Sequence, residues 1–406
     1  MELGGARAGY LLSMPIVAAL LLALLPQQSC PNCLHKGVLP CRAHNDVAPE
    51  EEEPSDTNPI LYCSWVADCP ACGGTMYVDC PRCEKGDLSD KVAERRALIA
   101  AWREQNTLEK TLGRSVPRLE SKRFSFVIDV PQMMDTKGEG KKKMSAHVLA
   151  HRLAEDEEHV TALIAQHYAM TDKDYRAKMR MWLWNDLATH QQAQQKFQGT
   201  VTTGDFKMLG RDPVFSVWDE PGNFDTVPKI RALFAHNAAH MLLSNAFNPT
   251  WVGDIGGGWL DAGLGAWYEY ELFGRSVNYC LEEATLAEDY ENGQWRAAVR
   301  RELEKEKQPC LPALLPKRTG ALSAPEHALC WSFYDWLLAT HAGVVRTLML
   351  ELKQKKPARE VLAAALGMDL FATEDAWRAW VSETYPLKGD KPSEAKPDPK
   401  KGAKKK

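Results

Sequence analysis

Eight of the eleven cysteines lie between Cys30 and Cys83, and the block repeats itself: CPNCLHKGVLPCRAH, Cys30 to His44, aligns with CPACGGTMYVDCPRC, Cys69 to Cys83. Both copies read C-x2-C-x7-C-x2-(C or H). A segment this short has little apolar core of its own, so the cysteines must hold it together. Two thiolates separated by two residues sit on one tight knuckle and grip one tetrahedral metal, while the seven-residue connection lets a short hairpin bring up a second knuckle. The ligands are then Cys30, Cys33, Cys41, His44, Cys69, Cys72, Cys80 and Cys83, a set for two zinc ions. Disulfides are the competing reading, because exported cysteines usually pair. A repeated C-x2-C is a poor disulfide framework, however, and His44 has no part in one. Outside the ligand set stand Cys63, Cys280, Cys310 and Cys330, an even number that oxidising conditions can pair.

The Cys-Pro-x-Cys form and the glycines after Cys72 resemble the cysteine-rich zinc domain of DnaJ-type chaperones, whose repeats read CxxCxG. In that family outer and inner knuckles pair. The resemblance implies one site of Cys30, Cys33, Cys80 and Cys83 and another of Cys41, His44, Cys69 and Cys72, with sequential pairing inside each repeat as the alternative. It covers about fifty residues and departs from the family at His44 and in the acidic, proline-containing insertion from Asp46 to Pro59.

Ahead of the block, Arg7 precedes a nearly uncharged run from Tyr10 to Leu25, and Gln27, Gln28 and Ser29 follow. That is the order of a signal peptide over residues 1–28, so the remainder is expected outside the cytoplasm, secreted, periplasmic or attached to the envelope. The run is shorter than the roughly 20 residues of a membrane span, with an uncleaved anchor as the alternative. At the other end, residues 387–406 carry no apolar side chain able to anchor them and read as a disordered basic tail, either solvated or touching an anionic surface. A formal net charge of -4 calls for no nucleic-acid partner.

The stretch over 86–120 is charged and helical in pattern and reads as a linker. Beyond it, FSFVIDV (Phe124–Val130), MRMWLW (Met179–Trp184) and PVFSVW (Pro213–Trp218) read as strands, and an amphipathic helix is expected from Ser145 to Tyr168. Another helix starts at Asp225 or Thr226 with Pro228 in its first turn, carries an apolar stripe at Ile230, Leu233, Phe234 and Met241, and contains HNAAH, His236 to His240. GWLDAGLGAWYEYELFG, Gly258 to Gly274, reads as a further helix. The order is α+β.

These segments resemble the gluzincin, or thermolysin-like peptidase MA, zinc peptidases, whose active helix reads HExxH and whose next helix reads approximately WLxEGLAxYxE. His236 and His240 fall at the two metal-binding histidines, and Trp259, Leu260, Gly263, Leu264 and Glu269 match the second motif. The resemblance implies a zincin-like domain over 121–386. It departs where the chemistry sits. The family's general base is replaced by Asn237, whose amide takes no proton at neutral pH, and its third ligand by Ala262. Glu269 lies too far along the helix to substitute, Asp261 points about 100° away, and Asp254 can reach in only from a loop. His236 and His240 therefore read as a vestigial site or as packed core histidines.

The reading is an exported, catalytically inactive zinc-peptidase-like protein, a pseudoenzyme with no catalytic residue and two structural zinc ions, that binds polypeptide or scaffolds an envelope component. The alternative is an active zinc hydrolase with a non-standard third ligand. Trp182, Trp184, Trp259 and Trp267 either line a cleft or fill the core. The repeating His147, His151, Glu155 and His159 read as a polar helix face or, less simply, a metal site.

Overall fold

The computed structural model describes residues 30–43, 64–66, 69–83, 85–136, 142–281 and 289–387. The run Tyr10–Leu25, His44, Cys63 and the basic tail after Leu387 lie outside them. Among the described residues no helix is long and apolar enough to cross a membrane.

The chain is a mixed helix and sheet protein. Its strands are β1 (Val38–Pro40), β2 (Ser64–Val66), β3 (Tyr77–Asp79), β4 (Arg118–Glu120), β5 (Phe124–Ile128), β6 (Gln132–Asp135), β7 (Lys142–Ser145), β8 (Met179–Trp184), β9 (Phe206–Met208) and β10 (Val214–Trp218). The helices used below are α1 (Ser89–Gln105), α2 (Thr107–Leu112), α3 (Ala146–His167), α4 (Leu187–Phe197), α5 (Val227–Asn245), α6 (Gly258–Phe273), α7 (Trp295–Lys305), α8 (Ala324–His341), α9 (Val345–Lys353), α10 (Ala358–Leu366) and α11 (Leu370–Thr384).

The main sheet runs β2-β4-β5-β8-β10-β9, with β5, β8 and β10 parallel and the outer pairs antiparallel. Alternation along the strands sends side chains to two faces. Phe124, Phe126 and Ile128, Met181 and Leu183, and Phe215 and Val217 enter the large core under α3 and α5. Val127, Trp182, Trp184 and Val214 form a smaller cluster on the other face with Ala193 of α4 and Leu108 of α2. Trp182 and Trp184 are thus core residues, and so is Trp259, while Trp267 packs half-buried against the core edge. The helix starts are chemically marked: the Ser145 hydroxyl accepts from the Val148 amide, and Thr226 precedes α5 with Pro228 in its first turn. After α6 the chain continues as a helical layer in which α8 packs along α6.

The cysteine repeats form a small hairpin pair, β1 antiparallel to β3, and it is stitched to the rest of the protein in three ways. Met76 is 1% exposed and belongs to the large core. Gly37, at φ +76°, lies against the start of α1 so closely that a Cβ there would stand 2.3 Å from the Gly86 nitrogen. Most directly, β2 comes from the segment between the two repeats and pairs with β4, with Trp65 opposite Leu119.

Candidate metal centres

In the hairpin pair the sulfurs of Cys30, Cys33, Cys80 and Cys83 converge, and so do those of Cys41, Cys69 and Cys72. Outer knuckle meets outer and inner meets inner; His44 lies outside the described residues, so the second group is seen with three donors. Two sulfurs at about 2.3 Å from one tetrahedral zinc stand about 3.8 Å apart, against about 2.05 Å in a disulfide. The observed separations are 3.9 Å for Cys30–Cys80, 3.9 Å for Cys41–Cys69 and 3.1 Å for Cys33–Cys83. Both clusters can hold a metal ion. Backbone amides already turn toward them, as Gly37 N–H does to Cys33 Sγ at 3.3 Å.

A third cluster lies in the large core. α5 is buried on nearly every side, and its 3.6-residue turn sets His236 and His240 side by side with Nε2 atoms 3.1 Å apart. α6 crosses it with a face spaced by four residues, Asp261, Gly265 and Glu269. Gly265 makes the approach possible, because a Cβ there would lie 2.3 Å from His240 Nε2. The flanking carboxylates reach past it to the far side of each ring: Glu269 Oε2 is 3.0 Å from His236 Nδ1, and Asp261 Oδ1 is 3.0 Å from His240 Nδ1. They are fixed in turn. Thr319 Oγ1 donates to Asp261 at 2.8 Å, while Ser276 Oγ, Val277 N and Asn278 Nδ2 all donate to Glu269 at 2.8 Å.

A carboxylate behind each ring suits Nδ1–H donating backward, which with a metal bound would leave each Nε2 to present its lone pair forward. Into the same space comes Cys280, its sulfur 3.2 Å from His240 Nε2 and 3.5 Å from His236 Nε2. Zinc at about 2.0–2.1 Å from nitrogen and 2.3 Å from sulfur would place donors about 3.3 Å (N–N) and 3.6 Å (N–S) apart, so the three atoms outline one face of a tetrahedral site. His236, His240 and Cys280 can hold a metal ion. Lys207 Nζ, reaching in from edge strand β9, donates to Cys280 Sγ at 2.8 Å. Without a cation these groups hold protons between them. Burial opposes charge on Cys280 and His236, yet Cys280 is driven well below the usual thiol range by His240, Lys207 and His236, and His236 is raised to about 9 by Cys280 and Glu269.

The third donor therefore comes neither from Ala262, which is buried and ends in a methyl group, nor from Asp254, which sits in an exposed turn. Asp261 and Glu269 stay off the metal-facing side, as their helical positions require, and act on the histidines from behind. Asn237 is buried, with Nδ2 donating to Leu233 O at 2.9 Å and Oδ1 without a partner among the described residues. His147 and His151 lie tilted against each other with ring centroids 5.0 Å apart, outside every three-donor cluster found among the described residues. The sequence counted Cys280 only toward disulfide parity. One signal for it was present: it is the sole cysteine between Cys83 and Cys310, placed shortly after a motif that lacks one ligand.

Compared with protein-family models and with curated proteins, the sequence matches none.

Proposed function

We propose that the chain is an exported zinc protein with three metal centres, two that fold its DnaJ-like cysteine module and a third at His236, His240 and Cys280 in a degenerate gluzincin-like domain. It binds polypeptide or an envelope component and does not hydrolyse it. The observation that carries the reading is the convergence of three lone-pair donors whose rings are held by Glu269 and Asp261, with an amide, Asn237, where a peptidase needs a carboxylate. A metal bound there would supply Lewis acidity at an open fourth position. The residues around it bind and orient. Asp261 and Glu269 are both committed to imidazole nitrogens, and among the described residues no carboxylate joins the donor cluster where it could draw a proton from a water in that position. Loss of general-base catalysis alone typically slows a reaction by about 100- to 10,000-fold.

Cys280 also favours a second reading, an active zinc hydrolase that uses a cysteine as its non-standard third ligand. One experiment separates the two and tests the third centre itself. Purified protein is analysed for metal per chain and for turnover of casein and model peptides, beside Cys280→Ser. Three ions falling to two in the variant, with no turnover in either, supports the proposal. Turnover that disappears with Cys280→Ser establishes the hydrolase, and two ions in both proteins overturns the third centre.

A further inference from the structure

The three donors of the third centre are unequally sheltered. His236 and His240 are at most 1% exposed, and their rings are clamped by Glu269 and Asp261. Cys280 is partly exposed and belongs to the irregular segment after Gly274. Glu269 anchors that segment through Ser276, Val277 and Asn278, which leaves Cys280 just past the last anchor. Of the three donor residues, Cys280 alone is partly exposed.

We propose that Cys280 is an oxidation site for hydroperoxides and that its conversion to a sulfenic acid expels the metal. The proposal rests on the third-centre reading above. A cysteine bound to a metal is a thiolate, the nucleophilic form of the residue. It attacks one peroxide oxygen: a sulfur–oxygen bond forms, the oxygen–oxygen bond breaks, and hydroxide or alkoxide leaves and takes a proton from water. Sulfur loses two electrons and the peroxide gains them. Lys207 Nζ, 2.8 Å from the sulfur, is near enough to pair with the sulfenate.

The metal cannot follow. Among the described residues Cys280 is the cluster's single anionic donor, because Asp261 and Glu269 are engaged at the Nδ1 atoms. After oxidation two neutral imidazoles remain, too few for a stable zinc site. The cysteine module differs in its donors. Its clusters have three and four sulfurs, so oxidation of one, even of the partly exposed Cys30 or Cys83, leaves at least two thiolates on the metal. Cys33, Cys41, Cys69, Cys72 and Cys80 are all at most 6% exposed.

The test treats the zinc-loaded full chain with hydrogen peroxide near one equivalent, traps sulfenic acid with dimedone, locates the label by peptide mass spectrometry and follows released zinc with a chromogenic chelator. The expected result is label on Cys280 ahead of any module cysteine, one zinc lost per chain in step with it, and recovery on adding dithiothreitol and zinc. Cys280→Ser should release none at the same dose; if that variant does not fold, the order of labelling in the unaltered protein decides. Label on Cys280 with the zinc retained, or module cysteines oxidised first, overturns the inference and leaves the metal centre standing. Absence of a third zinc before any peroxide is added overturns the centre and the inference together.

Discussion

Gly265→Ala tests the third centre with the smallest possible change. The added methyl would lie 2.3 Å from His240 Nε2, 2.8 Å from Cε1 and 3.0 Å from Cδ2, where carbon atoms prefer about 3.5 Å or more. The ring must retreat by about 1 Å, several times the ±0.2 Å within which metal–ligand distances hold. It cannot slide back freely, since Asp261 is 3.0 Å behind its Nδ1. Overpacking of this kind costs about 1–3 kcal/mol, and replacing a mid-helix glycine by alanine returns about 1 kcal/mol, so the fold should lose only about 0–2 kcal/mol. Zinc at the third centre should weaken by more than about 100-fold, beyond what losing an outer hydrogen bond does. Metal per chain and a calorimetric zinc titration give the first number, thermal melting of the metal-free protein the second. A third zinc bound within a few-fold of the unaltered protein would mean that α5 and α6 do not approach as described, and the reasoning fails.

Glu269→Gln should lower zinc affinity at the third centre by about 10–100-fold while Cys280 and both histidines stay, because the His236 ring loses its charged anchor; titration against the unaltered protein reads this. Zinc binding there should release protons and weaken by roughly tenfold for each pH unit below about 9, since His236 holds its proton up to about 9 in the metal-free site and must give it up; calorimetry across pH checks the slope, and a flat profile contradicts it. Cys33→Ser should open the outer cluster and speed amide exchange at Ser64–Val66 and Arg118–Glu120, which hydrogen exchange by mass spectrometry resolves; unchanged protection would mean β2 holds its place without the module.

Much of this was written in local pattern. MRMWLW reads as a strand because large apolar residues serve both faces, and Met179–Trp184 is β8 to the residue. The spans around HNAAH and GWLDAGLG are helices where the caps and apolar spacing put them. The convergence of the outer and inner knuckles followed a resemblance, since spacing alone leaves sequential pairing open. What stayed hidden depends on distant segments meeting. Cys280 is forty residues from His240 and sits in no regular element, so periodicity says nothing about where it points. Lys207 comes from a three-residue edge strand, too short to mark a face. β2 is equally silent, because three residues between the acidic insertion and the second repeat become a strand only when β4 offers its edge.

The two buried carboxylates are the strongest argument that the core histidines hold a cation. Asp261 is 2% exposed and Glu269 is 0% exposed, and a lone carboxylate so placed would give up its charge, because desolvation is costly. Asp261 instead stays ionised, pulled down to about 2 by His240 and Lys207 against the effect of burial. In a purely packed core, apolar residues of similar size at 261 and 269 would serve as well or better. These carboxylates have one task that apolar residues cannot do, which is to hold each imidazole with its Nδ1 proton facing backward and its lone pair facing Cys280. Peptide hydrolysis also needs a group that draws a proton from water, and at the two positions where the motifs this chain resembles carry carboxylates it has Asn237 and Ala262. What the core holds is a donor set that can bind a metal, with both flanking carboxylates turned to the imidazole Nδ1 atoms.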